Sequence, residues 1–207
     1  TDVFGKLEEL FPSNEFRDQL LADVKSIYAP GKSFADAFGE WIHYLFKDMG
    51  VVVIDPSDKK LLEISKPILK TAVEDHHEIR EIFSETTRRV KQAGYTPQVN
   101  LLNQQTLLFY RMDDDNRARI DSQNGEFTAR DDNTAESWST ATLLEQIERL
   151  PHKFTPNVVL RPILQDWLLP TVCYIGGPGE ISYDAQLNDL STYLNMVPPA
   201  FIPRIRR

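Results

Sequence analysis

The sequence predicts an α/β fold, and two patterns support that prediction. An amphipathic helix with Ser33 as its N-cap leads directly into the β-branched run 51–55, whose lack of alternation is typical of a strand buried on both faces. In the last quarter, the apolar run 171–175 leads into a glycine turn, a helical pattern over 180–194 and a final strand at 200–202. Strand, turn, helix and strand in this order outline a βαβ unit.

The other helices in the first half follow from apolar spacing and helix-terminating residues. Ser13 is the candidate N-cap of the first helix. A later helix is predicted to begin near residues 57 and 58, and Pro67 either kinks it or begins a second helix. From Ile68 onward, the spacing supports one long, heavily charged helix that ends at Gly94.

The middle of the chain predicts a small antiparallel sheet. Short extended runs over residues 98–130 are separated by polar turns, and Asn124–Gly125 between two of them indicates a β-hairpin. A polar stretch at 131–134 closes this meander. Two helices are then predicted, one from about Ser137 to Pro151 and one over about 156–169.

These elements divide the chain into three predicted parts. Residues 1–66 contain the first helices and the first core strand, and residues 67–136 form an insertion made of the long helix and the β meander. Residues 137–207 contain the βαβ portion with its glycine turn. The predicted architecture is therefore a partial α/β core with a helical and small antiparallel β insertion.

Composition excludes several classes of protein. The 207 residues carry a formal net charge of -8, which opposes broad attraction to nucleic acid or to an anionic membrane. The sequence contains no apolar run long enough to span a bilayer and no pattern of a signal peptide. Its single cysteine, Cys173, lies in a predicted buried strand, so we expect a structural thiol rather than a nucleophile. We predict a cytoplasmic protein with neither nucleic-acid nor membrane partners.

Two features could bind an anionic ligand. The turn with Gly176, Gly177 and Gly179 lies between a strand and a helix, where free amides accept anions, although a tight turn with positive φ explains the glycines equally well. Asn157 and Arg161 are four residues apart, so one helix face presents an amide and a guanidinium just ahead of that turn. Alternatively, this helix face is an exposed surface that binds no ligand.

Histidine spacing predicts no metal site. His76 and His77 are adjacent in a helical segment and therefore point about 100° apart, whereas two helical ligands need a spacing of three or four. We expect both on a solvated face.

Two strings in the last third resemble a known family. Residues 154–162 read Phe-Thr-Pro-Asn-Val-Val-Leu-Arg-Pro, and residues 168–183 contain Gly-Gly-Pro-Gly-Glu. Both closely resemble the bacillithiol biosynthesis family of cysteine-adding enzymes. Further agreement lies in residues 34–58, in Gly94, Tyr95 and Gln98, and in residues 202–204. The resemblance covers nearly the whole chain.

This resemblance implies a Rossmann-like core related to nucleotidyltransferases, with connecting insertions and a C-terminal coiled coil. It also implies an amide-forming ligase that joins cysteine to glucosaminyl malate. The cofactor stays unknown, with ATP as a candidate, and a homodimer is the candidate assembly of the parent protein. Two departures matter. Asp184 stands where an aromatic residue is expected, and the Thr-Gly-Gln-Gln and Glu-Asp-His segments and the coiled coil are missing. We therefore expect an internal fragment that is inactive alone.

For such a reaction, backbone amides and a cation must stabilise an anionic tetrahedral intermediate. We expect the three glycine amides and Arg161 to do so, and Glu180 and Tyr183 to bind a substrate amine or hydroxyl. The catalytic residues stay unknown. The predicted substrate-binding set comprises Asn157, Arg161, Gly176, Gly177, Gly179, Glu180 and Tyr183.

Two other classes remain open. In one, the chain is a non-catalytic interaction module, for which an exposed apolar stripe on residues 68–93 would be the sign. In the other, it belongs to a nucleotide-dependent transferase with a different acceptor.

Overall fold

A computed structural model describes residues 3–56, 58–113, 116–132 and 134–205. Four residues that fall within predicted features lie outside these ranges, namely Ser57, Asp114, Asp115 and Asn133. The chain forms two compact units that divide after Pro56. The predicted boundaries fall elsewhere, one after residue 66 inside a helix and one after residue 136 inside a strand.

The first unit is helical. It contains α1 (Val3–Leu10), α2 (Arg17–Ile27), α3 (Phe34–Phe46) and a short 3₁₀ turn at Lys47–Met49. Ser33 caps α3 as predicted, because its hydroxyl accepts the Asp36 N–H at 3.0 Å. The predicted cap at Ser13 is wrong, since α2 begins at Arg17 after Phe16, whose side chain makes no cap hydrogen bond.

The predicted core strand at 51–55 is also wrong. These residues have no strand assignment, and their side chains are exposed, with Val52 79% accessible. A β-branched run favours extended backbone, but a strand forms only where a neighbour completes its hydrogen bonds. No described strand pairs with this segment.

The second unit begins with two helices, α4 (Lys59–Glu74) and α5 (His76–Gln92). The Asp58 carboxylate caps α4 by accepting the Lys60 and Leu61 amides at 2.8 and 3.3 Å. Pro67 lies inside α4 without ending it, and the break falls at Asp75 instead. The prediction of one continuous helix from Ile68 is therefore wrong. Its predicted end is confirmed, because Gly94 follows α5 with φ +86, the left-handed conformation that ends helices.

An antiparallel sheet of five strands follows, in the order β4-β3-β2-β1-β5. The strands are β1 (Gln105–Arg111), β2 (Arg117–Gln123), β3 (Glu126–Arg130), β4 (Ala135–Ser139) and β5 (Phe154–Pro156). The predicted hairpin is confirmed, because Asn124 and Gly125 both have positive φ between β2 and β3. The meander does not close at 131–134, since β4 continues it and contains Ser137, the predicted start of a helix.

One face of this sheet forms the core with α4, α5, α6 (Thr140–Arg149) and α7 (Leu160–Leu168). Alternate residues of β2 and β3, such as Ile120 and Phe127, point into it and are fully buried. Ser139 caps α6 by accepting the Thr142 N–H at 3.2 Å. The inserted segment and the helices after it therefore share one hydrophobic core.

The parallel strand pair completes the unit. Strand β6 (Cys173–Gly176) pairs in parallel with β7 (Ala200–Pro203), and α8 (Pro178–Asp184) and α9 (Asn188–Tyr193) connect them. This confirms the predicted βαβ unit and the α/β class. Cys173 is exposed, so its predicted burial is wrong. Within the described part of the chain, the structure contains no helix with the length and hydropathy that a membrane span requires.

Gln186, between α8 and α9, is completely buried and uses its whole amide. Its Oε1 accepts the Gln98 and Val99 amides at 2.9 and 3.0 Å. Its Nε2 donates to the Thr87 hydroxyl and to the Val99 carbonyl, both at 2.9 Å. These four bonds join α5 and the loop after it to the segment that carries α8 and α9.

His76 is buried rather than solvated, contrary to the prediction, while His77 is exposed. His76 Nδ1 lies 2.9 Å from the Val73 carbonyl and must donate to it, and His76 Nε2 lies 2.9 Å from the Ser122 hydroxyl. In the neutral ring that carries its proton on Nδ1, Nε2 accepts from this hydroxyl. Burial lowers the pKa of His76, and the nearby charges of His77 and Arg80 act in the same direction.

We predict that Gln186→Ala lowers the free energy of unfolding by about 3 kcal/mol, because it leaves several buried partners without a hydrogen bond. Urea denaturation of the 207-residue chain measures this change. Gln92→Ala is the matched control, since Gln92 is exposed at the end of α5. Equal effects of the two substitutions would contradict the role given to the buried amide.

We also predict that acid destabilises the second unit through His76. Because the folded pKa lies below the unfolded value of about 6.5, its contribution is complete above that pH and declines as the pH falls through it. Between pH 7.5 and 5.5 the loss is up to about 1.4 kcal/mol. His76→Gln should reduce this dependence and His77→Gln should not, as measured by urea unfolding at both pH values.

Candidate functional site

The candidate site lies where the two parallel strands end. Their register pairs Gly176 with Pro203, so Gly177 and Arg204 leave the sheet side by side. The Arg204 N–H donates to the Gly176 carbonyl at 2.8 Å. In open α/β sheets, ligands bind outside the carboxyl ends of the strands, which is the edge that these residues occupy.

Glu180 holds the glycine turn in place. Its Oε2 accepts the Gly177 N–H at 2.6 Å, and its Oε1 accepts the Tyr174 hydroxyl at 3.1 Å. The Gly177 amide lowers the pKa of Glu180 most, followed by Tyr174, with added effects from the charges of Arg204 and Arg161. Both carboxylate oxygens are therefore engaged. We revise the prediction that Glu180 binds substrate and that the Gly177 amide stabilises an oxyanion.

The glycines are explained by close packing at two positions. A tight turn with positive φ does not explain them, since none of the three glycines has a positive φ. A Cβ at Gly176 would lie 3.2 Å from the Tyr174 ring, and a Cβ at Gly177 would lie 3.0 Å from Arg204 Nη2. Nothing in the structure explains the glycine at 179, where a Cβ would meet open space.

Arg161 and Tyr183 lie together beside this turn. Arg161, in the first turn of α7, donates from Nη2 to the Tyr183 hydroxyl of α8 at 3.2 Å. The guanidinium is exposed, and its charge reaches Glu180. The structure thus brings six of the seven predicted residues, all except Asn157, to one edge of the parallel pair.

Asn157 is not part of this cluster. It is 3% exposed, its Oδ1 accepts the Val159 and Leu160 amides at 2.9 and 3.0 Å, and its Nδ2 donates to the Thr106 carbonyl at 3.4 Å. These bonds begin α7 and attach it to β1. The prediction that Asn157 binds substrate is therefore corrected to a structural role, which its position just before a helix could have indicated.

Two further groups near the turn have shifted pKa values. Burial raises the pKa of Tyr174 to about 12, with smaller effects from Tyr183 and Glu180, so Tyr174 stays protonated and donates to Glu180. Burial raises the pKa of Asp184 to about 6, and the charge of Asp166 acts in the same direction. The contact between α7 and α8 therefore contains a carboxyl group that changes charge near neutral pH.

Other parts of the second unit offer no stronger site. A depression of about 700 Å³ lies over the outer face of β2 and β3, with Arg119, Asp121 and Thr128 among its lining residues. The outer face of an antiparallel sheet is expected to be polar, so solvation explains it. A smaller cavity of about 250 Å³ borders α5. The described residues contain no group of three or more metal-ligating side chains.

Parallel strands, a packed glycine turn and an arginine–tyrosine pair define an α/β protein with a candidate ligand site at its strand ends. A family model described as "Bacillithiol biosynthesis BshC, N-terminal Rossmann-like domain" matches residues 1–205. The chain belongs to this family, as the resemblance of its motifs predicted.

Curated relatives agree with this assignment. The chain is 35% identical over 203 residues to a protein of Salinibacter ruber and 32% identical over 205 residues to one of Staphylococcus carnosus. Both are named "Putative cysteine ligase BshC". These alignments cover 98% and 99% of the chain but only 36% and 37% of the relatives. The chain therefore spans little more than a third of their length.

We predict that Glu180→Ala speeds hydrogen exchange of the Gly177 amide roughly tenfold at neutral pH, because the amide loses its acceptor. Amide exchange followed by NMR measures this rate. Glu180→Gln is the matched control, since its carbonyl oxygen can still accept from Gly177. An unchanged Gly177 rate in Glu180→Ala would contradict the capping role of the carboxylate.

Proposed function

We propose that this chain supplies part of the substrate site of a ligase that joins cysteine to glucosaminyl malate in bacillithiol biosynthesis. Membership of the family and the names of its relatives support this reaction class. We assign the reaction to the complete protein, because the named relatives are nearly three times as long as the matched region. The cytoplasm as its location and a homodimer as the assembly of the complete protein stay predictions, and the cofactor stays unassigned, with ATP as the candidate.

The observation that carries the proposal is the pairing of Arg161 with Tyr183 at the carboxyl edge of β6 and β7. An amide-forming ligase must bind carboxylates and stabilise negative charge on the carbonyl oxygen when the amine attacks. A guanidinium can form two parallel hydrogen bonds to a carboxylate. The Tyr183 hydroxyl accepts from Arg161 and can donate its own proton to the same ligand.

The role of the turn also changes in this proposal. Its glycines let the chain pack closely at the strand ends, and Glu180 presets its shape through Gly177. The turn therefore positions neighbouring side chains, whereas the sequence alone suggested that it binds the anion through its amides.

The alternative of an interaction module is less well supported. Its expected sign was an exposed apolar stripe on residues 68–93. The large apolar residues of this segment, including Ile68, Leu69, Ile79 and Phe83, are buried in the core of their own unit. The segment therefore uses its apolar face internally.

We predict that Arg161→Gln in the complete protein weakens substrate binding or turnover by about 10- to 100-fold, because charge-assisted hydrogen bonds to a carboxylate are lost. Calorimetry with cysteine, glucosaminyl malate and ATP measures binding, and formation of the cysteine amide measures turnover. The control is Arg149→Gln, since Arg149 is exposed on α6.

Unchanged binding and turnover in Arg161→Gln would remove Arg161 from the site. If the protein binds ATP but binds neither cysteine nor glucosaminyl malate, a transferase with another acceptor is favoured.

A further inference from the structure

We infer that Arg204 is a second ligand-binding cation, which together with Arg161 selects a ligand with two carboxylates. The inference rests on the proposed function and adds to it the residue Arg204 and a preference for ligands with two carboxylates. Arg204 lies outside the site predicted from the sequence, and its position depends on contacts that only the folded chain creates.

The backbone places Arg204 at the correct edge. It follows β7 directly, and its N–H is bonded to the Gly176 carbonyl at the end of β6. Its side chain therefore starts beside the glycine turn. Because both strands are parallel, Gly176 and Arg204 share the edge where α/β proteins bind ligands.

The glycine at 177 makes room for this side chain. A Cβ there would lie 3.0 Å from Arg204 Nη2 and 3.8 Å from its Cζ. The backbone of Gly177 has φ -73 and ψ 168, which any residue can adopt. The backbone conformation therefore does not require glycine at this position, whereas a Cβ would force the end of the Arg204 side chain to shift.

The two guanidinium groups retain charge for a ligand. Among the described residues, no carboxylate lies within 4 Å of Arg161 or Arg204. Glu180 is close enough to feel both charges, but its oxygens accept from Gly177 and Tyr174. The charges of both cations thus reach one carboxylate whose two oxygens are already engaged by the turn and by Tyr174.

This arrangement favours a dicarboxylate. Each guanidinium presents a planar fork that matches one carboxylate, and the two forks belong to separate elements, α7 and the end of β7. A ligand with two carboxylates can contact both, whereas a monocarboxylate contacts one. The malate part of glucosaminyl malate, the substrate in the proposed function, has this chemistry.

The test compares malate with 3-hydroxybutyrate, in which a methyl group replaces one carboxylate. Dissociation constants come from NMR titration of the complete protein. The unsubstituted protein should prefer malate by about tenfold or more, as expected for one added charge-assisted contact. Arg204→Gln should reduce that ratio to near one, and Arg149→Gln should leave it unchanged.

The outcomes separate the inference from the proposed function. If Arg161→Gln weakens binding and Arg204→Gln preserves the malate preference, the inference is overturned and the proposed function stands. If neither substitution changes malate binding, the inference and the proposed function are both overturned. Tighter binding of inorganic phosphate than of malate would overturn the selection of a dicarboxylate.

Gly177→Ala tests the space that Gly177 provides. It should reduce the malate preference as Arg204→Gln does, and adding it to Arg204→Gln should have no further effect, because both act on the same guanidinium. The thermal unfolding midpoint of each variant shows that the fold is retained. Full malate preference in a folded Gly177→Ala variant would contradict the role assigned to Gly177.

Discussion

The buried amide of Gln186 connects the helical layer to the segment that carries the candidate site. Its two acceptor and two donor bonds join α5 and the following loop to the junction of α8 and α9. Because α8 contains Glu180 and Tyr183, the position of both side chains depends on this junction. Asn157 has a matching role for Arg161, since it begins α7 and attaches that helix to β1. Two buried amides therefore hold a charged, solvent-facing cluster in place.

The cluster itself combines groups with separate tasks. The Glu180 carboxylate stabilises the backbone of the turn. One of its oxygens accepts a hydrogen bond from the Tyr174 hydroxyl and the other accepts one from the Gly177 N–H. Arg161 and Arg204 lie outside these hydrogen bonds, and both residues are exposed. Such an arrangement holds the turn without an ion pair to the cations beside it, which suits the proposed binding of anionic substrates.

Sequence reasoning succeeded where a few neighbouring residues decide the structure. Asn124–Gly125 requires a hairpin and Ser33 caps its helix, and both follow from local geometry. It failed where a distant partner decides. The run 51–55 has strand-forming residues but no described strand beside it, and the buried ring of His76 contacts Ser122 and Phe127, which are distant in sequence. In the proposed site, the sequence pointed to Arg161 through its motif but not to Arg204, although a basic residue directly after a final strand was a usable signal.

The exposure of Cys173 has a practical consequence. It is the only cysteine in the 207 residues, and it begins the strand that leads into the glycine turn. A thiol-reactive fluorophore or spin label will therefore attach to this chain at Cys173 alone, a few residues from the glycine turn, without any engineered substitution. For the same reason, preparations handled in air will form intermolecular disulfides, so a reductant belongs in every buffer until the label is attached.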